Sequence, residues 1–301
     1  MTSRGHRPSS KSREGHLAML VFSALVAGSF ALGGRIANEI SPVALAALRF
    51  ALAGCAIGAV AAAMRAFSRE MLDAPWRYVG LGALFSSYFV LMFEGLKTAS
   101  PVSTAAVFTF TPVLSAGFGW LLLRQVTTPR MALALLVGAV GALWVIFDAS
   151  WTAFLSFQIG RGEAVFFWGC VAHALYAPLS RAWNRGEQTV AFTFGIVLAG
   201  TLTLVVYGAR DLTATDWQGL RPMVWVTLLY LAFGASAATF VLLQVATLRL
   251  PAAKVMAYTY LVPCWVIVWE VGLGAAAPSL PLLGGVALTA IALLLLLKPE
   301  G

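Results

Sequence analysis

Very few groups in this 301-residue chain can carry charge or a proton inside its long apolar runs. Arg49 follows the run Pro42-Val43-Ala44-Leu45-Ala46-Ala47-Leu48. His173 is the one histidine within an apolar stretch, with Tyr176 three residues on. Glu94 and Lys97 are three apart, on one helical face, and Lys254 begins a late apolar run. An ionisable side chain at membrane depth is costly, so each needs a partner or a wet cavity. Arg49 can clamp a carboxylate or tether its helix to backbone carbonyls or an acidic residue of another, and the tether is the preferred reading. Glu94 with Lys97 reads as an ion pair near an interface, with an outer-gate charge as the alternative. Lys254 reads as a side chain snorkelling to the surface. His173 titrates near neutral pH, so it can pass a proton or bond a substrate, or simply pack.

Aromatic rings and hydroxyls accompany these charges. Thr104, Phe108, Thr111 and Ser115 fall on one face of one apolar run; Lys254, Tyr258 and Trp265 fall on one face of another. Such sets suit a ligand that is partly apolar and partly polar. Tyr88 and Tyr176 join them as candidate substrate contacts, with Tyr78 and Tyr230 as secondary ones. Pro112 and Pro263 interrupt their runs near the middle, where a proline removes a backbone donor and can act as a hinge. Catalytic alternatives find little support: there is no HExxH zinc motif, no pair of intramembrane aspartates and no phosphate-loop lysine. Cys55, Cys170 and Cys264 stand alone, without metal or redox spacing. No cofactor or metal is expected.

The elements that position these residues are membrane spans. Hydrophobic residues make up 60% of the chain and charged ones 11%, against about a quarter charged in soluble domains. Ten stretches are long enough to cross a hydrocarbon core of about 30 Å as helices: 17–37, 43–64, 76–97, 102–123, 130–147, 162–181, 190–207, 223–247, 252–272 and 282–297. Short breaks such as Ser41-Pro42, Ser100-Pro101 and Thr128-Pro129 carry helix-starting chemistry. Lys and Arg favour the N-terminal side, 13 to five, so both termini are expected in the cytoplasm. The net charge of +8 is thus a topology signal. The basic tail, residues 1–16, reads as a lipid-headgroup contact and not as a nucleic-acid site.

The chain also repeats. An offset of 150 places Pro101 on Pro251, Thr109 on Thr259, and Phe108 and Phe110 on Tyr258 and Tyr260. The halves are 17–150 and 151–301, with five spans each. Five is odd, so the second half must enter the membrane from the opposite side. Inverted halves serve secondary transporters, with the substrate site between them near the midplane.

Pro101 … Thr111-Pro112, its echo Pro251 … Val262-Pro263, and the run from Pro42 to Arg49 resemble the drug/metabolite transporter superfamily, in its EamA-type ten-helix branch. The second half departs from the arginine pattern, with Gly195 at the corresponding place. Within that branch the chain resembles bacterial aromatic amino acid exporters. The resemblance implies an all-α, five-plus-five inverted repeat in a bacterial inner membrane. It implies export of aromatic and other amino acids or related metabolites by alternating access, around a cavity lined by spans one, three, four, six, eight and nine. Other metabolites or drugs are the alternative cargo, and a membrane enzyme is the remote one. The expected partners are a small-molecule substrate and lipid, and the expected working unit is a monomer.

Overall fold

The computed structural model describes residues 10–126, 128–156, 159–247, 249–250, 255 and 257–297. All regular structure among them is helical. The first helices are α1 (Ser10–Ile36), α2 (Pro42–Ala63), α3 (Trp76–Gly95), α4 (Pro101–Phe108), α5 (Thr111–Leu123), α6 (Pro129–Ile146) and the short α7 (Trp151–Leu155). There follow α8 (Arg161–Trp183), α9 (Thr189–Tyr207), the short α10 (Ala209–Ala214) and α11 (Pro222–Leu229). A π-helical segment, Tyr230–Ala238, runs from α11 into α12 (Thr239–Thr247). A 3-10 turn, Tyr258–Leu261, leads into α13 (Val262–Gly272), and α14 (Leu280–Leu297) closes the chain.

Sequence chemistry explains the helix starts. Ser100 and Thr128 each accept a backbone N–H from three residues on, Ser103 at 3.1 Å and Met131 at 3.3 Å. Pro101 and Pro129 then take the first helical positions, where a missing N–H costs nothing. Among the described residues, eight helical stretches are long and apolar enough to span a membrane. The two other expected spans differ for identifiable reasons. α8 has the length, at 23 residues, but carries Arg161, Glu163, His173 and Arg181. The ninth begins outside the described residues, which also leaves Lys254 out, and its described part is split between a 3-10 turn and the 11 residues of α13.

The interior breaks are a correction to the expected mid-span prolines. The fourth span stops at Phe108, turns through Thr109-Phe110 and restarts at Thr111. Pro112 therefore lies in the first turn of a new helix, and so does Pro263 after its 3-10 turn. Neither removes a hydrogen bond from a continuous helix.

Packing brings distant elements together. α3 lies against α8 and α9, α2 against α9 and the π segment, and α1 against α12 and α13. α5 packs on α8, and α6 on α14. Glycine permits the closest crossings. A Cβ at Gly82 would sit 2.5 Å from the Gly200 nitrogen, and one at Gly141 would sit 2.6 Å from the Gly285 carbonyl oxygen. Helix backbones touch there because no side chain intervenes.

Candidate functional site

Arg49 is 1% exposed, deep between α2, α3 and the π segment. Its Nε donates to Ser236 Oγ at 3.0 Å and its Nη2 to the Ala235 carbonyl at 3.2 Å. The guanidinium also lies 3.8 Å from the centre of the Phe89 ring, a cation–π contact. A π segment bonds i to i+5 and offers carbonyls out of their usual register. Ala235 O takes both Arg49 and the Thr239 hydroxyl there. The tether is thus made to a backbone carbonyl and a hydroxyl, and its Nη1 has no acceptor among the described residues.

Rings continue from this point. Tyr88 meets Phe89 edge-to-face at 4.7 Å and lies 4.5 Å from His173 on α8. Phe108, the last residue of α4, is 5.7 Å from His173 and 5.9 Å from Tyr88. Phe85 faces His173 at 6.3 Å and Tyr176 at 4.9 Å, nearly parallel in both cases. Phe30 of α1 and Phe166 of α8 close the far side. His173 Nδ1 is buried without a partner among the described residues. Thr111, also buried, begins α5 directly after the break that ends at Phe110. The structure therefore unites Arg49, Tyr88, Phe108, His173 and Tyr176. Helices α2, α3, α4 and α8 and the π segment hold them.

Tyr258 and Trp265 direct their polar atoms to α1 and not to His173. Both lie along α1. The Tyr258 hydroxyl is 2.8 Å from His16 Nδ1, and Trp265 Nε1 donates to Ser23 Oγ at 3.1 Å. Trp269 Nε1 donates to the Ala24 carbonyl one turn further. Trp265 and Trp269 line a small apolar cavity of about 200 Å³ with Leu20, Val21, Ala24 and Leu25. Glu94 and Lys97 form the expected pair, at 2.6 Å, partly exposed.

Around His173 the rings of Phe85, Tyr88 and Phe108 pack against the imidazole. A cavity of about 550 Å³ lies at the end where α1 turns into α2, among Glu39, Ser41, Lys97, Asp211 and Asp216. Arg221 pairs with Glu39 there, holding that carboxyl below the usual range through its hydrogen bond. Arg35 donates to the Leu273 carbonyl at 3.1 Å at this end. At the other end, Arg77 and Glu187 form a buried ion pair at 2.7 Å, 1% and 3% exposed. Burial pushes the Glu187 carboxyl up. The Arg77 guanidinium and the backbone N–H groups of Arg185 and Glu187 outweigh this and leave it below the usual range.

Phe85, Phe89, Phe166, Ala235 and Ser236 escape the sequence, whereas Arg49, Tyr88, Phe108, His173 and Tyr176 are named there as candidates. Phe85, Tyr88 and Phe89 recur at helical spacing, and so do Phe166, Cys170 and His173, so a face search around His173 would find them. Ser236 and Ala235 carry no such signal, because the irregular backbone arises among small residues, Gly234-Ala235-Ser236-Ala237.

An all-helical architecture among the described residues, with eight helices long and apolar enough to cross a bilayer, defines a multi-pass membrane protein. The chain belongs to the EamA-like transporter family, whose model matches residues 13–147 and again 160–298. An uncharacterized transporter of Bacillus subtilis (strain 168), YyaM, is 23% identical over 273 residues, 90% of each chain. A solved crystal structure, 23% identical and covering 96% of both chains, shares the fold with a TM-score of 0.67. The family and the relative point to a membrane transporter rather than an enzyme.

Proposed function

We propose that this transporter exports aromatic amino acids or related amphipathic metabolites, by alternating access between two inverted five-span halves. The observation that carries the reading is the ring set around His173. Tyr88, Phe108 and Phe85 come from the first half, and His173 and Tyr176 from the second. A ligand with one apolar ring and a polar end fits such a lining.

Three features support the ten-span repeat. The family model matches twice, once in each half. Helix breaks fall at Thr109-Phe110 and Tyr258–Leu261, the positions that the 150-residue offset equates. Broken helices in corresponding places mark substrate paths in inverted-repeat carriers. Contacts also exchange between the halves: α3 on α8 corresponds to α12 on α1, and α5 on α8 to α13 on α1. Counting α4 with α5, and α11 with the π segment and α12, as single spans, the tenth ends on the side where the first begins. The charge bias supports a cytoplasmic position for that side.

The test is uptake of radiolabelled phenylalanine into proteoliposomes holding only this protein, with and without an imposed pH gradient. Saturable flux is expected. A gradient effect removed by His173→Ala identifies proton coupling through that ring. Absence of phenylalanine flux in vesicles of folded protein sinks the aromatic assignment.

A further inference from the structure

Arg49 is tethered with donors to spare. Its two bonds go to a neutral carbonyl and a neutral hydroxyl. Its Nη1 is buried and finds no acceptor among the described residues. No carboxylate of the described residues pairs with it: the four ion pairs involve Arg77, Lys97, Arg221 and Arg249. A tether to a carbonyl and a hydroxyl needs donors but no charge, and a neutral amide side chain has donors of that kind. A buried, unpaired cation is expensive, and the face of Phe89 offsets only part of it. The surroundings therefore favour a negative group on whatever enters.

We propose that Arg49 is the anion subsite of this transporter, its Nη1 donating to the carboxylate of the substrate while the neighbouring rings hold the apolar end. The inference rests on the transport function proposed above and narrows its substrate to carboxylate-bearing amphipaths. Phe89 links the two parts physically, with Arg49 over its face and Tyr88 against its edge. A planar guanidinium suits a carboxylate better than a point charge, because two N–H groups can meet two oxygens. An amine without a carboxylate meets like charge at the same place and is rejected. Arg49 is covered on all sides as it stands, so the carboxylate reaches it when α2 and α3 part from the π segment.

The experiment measures ligand binding by the purified full chain in detergent, through tryptophan fluorescence and thermal shift. The probes are phenylalanine, 3-phenylpropionate, phenylalaninamide, phenethylamine and leucine. Wild-type protein should bind phenylalanine and 3-phenylpropionate about tenfold or more tighter than the amide and the amine, a difference of roughly 1.4 kcal/mol per decade. Arg49→Gln should erase this preference, and Arg49→Lys should keep part of it. Equal binding of acid and amine by the wild type overturns the subsite, as does a folded Arg49→Gln protein that keeps the preference. Should Arg49→Gln not fold, phenylalanine against phenylalaninamide on the wild type decides alone. Arg49-dependent binding of leucine without binding of the aromatic probes keeps the subsite and removes the aromatic reading. Tight, Arg49-independent binding of phenethylamine does the reverse. No binding of any probe by folded protein overturns both.

Discussion

Tyr258 and His173 show how much a single side chain's neighbours decide. Both are polar rings in apolar runs, and spacing alone places both beside substrate. His173 sits among Tyr88, Phe108 and Phe85, between the halves. Tyr258 instead bonds His16 near the start of α1, and Trp265 bonds Ser23 seven residues along the same helix. Tyr258→Phe should therefore cost about 1 kcal/mol of stability, the worth of one hydrogen bond. It should lower the maximal transport rate, if at all, and leave the KM for phenylalanine unchanged. Kinetics in proteoliposomes separate the two, and a several-fold rise in KM at normal stability would return Tyr258 to the binding site. Arg49 is the opposite case: sequence weighed a tether against a clamp, and the structure supplies a tether with an unused donor.

At the scale of elements, α3 is the member most firmly bound to the second half. It touches α8 and α9, crosses α9 at Gly82 and Gly200, and is tied at its start by Arg77 to Glu187 and to the Trp183 carbonyl. Removing one partner of a buried pair strands the other charge, at a cost of about 3–5 kcal/mol. Glu187→Gln should show that loss as a lower thermal midpoint at neutral pH. The Glu187 carboxyl is held below its ordinary value, so its contribution is complete above the unfolded carboxylate pKa of about 4.3 and fades as pH falls through the lower folded value. The gap between wild type and variant should accordingly shrink below about pH 4.3. A gap that stays constant down to pH 3, or a variant as stable as wild type at pH 7, would remove the strut.

Those same elements show what sequence can carry. Helix starts at Ser41-Pro42, Ser100-Pro101 and Thr128-Pro129 are local chemistry, and they fall where the residues put them. The breaks before Pro112 and Pro263 were legible as prolines but not as two-part helices, because a proline tolerated in a first turn looks in sequence like one that kinks. The π segment leaves no trace in the local residue pattern, and the Arg49–Ser236 bond that it receives joins positions 187 apart. In the site, spacing from His173 nominates Tyr176 and the face shared with Thr104 and Thr111 nominates Phe108, whereas the placing of Tyr258 depends on the long-range packing of α1.

At the scale of the molecule, the two halves are joined along several pairs of helices. α1 and the ninth span run side by side in the same direction, through His16 with Tyr258, Ser23 with Trp265 and Arg35 with Leu273. Two odd-numbered spans must do so in the proposed topology. Ion pairs sit at both ends, Glu14 with Arg249 and Arg77 with Glu187 at one, Glu39 with Arg221 at the other. In the proposed alternating-access cycle, each is a contact that opening on its side would have to loosen. The most direct test of that account is trans-stimulation in proteoliposomes: vesicles preloaded with unlabelled phenylalanine, then exposed to a trace of labelled phenylalanine. A carrier that alternates around one site should take up label several-fold faster when preloaded, with saturation in the inner concentration. Label entry that is unaffected by preloading and rises linearly with concentration would contradict alternation and describe an open path instead.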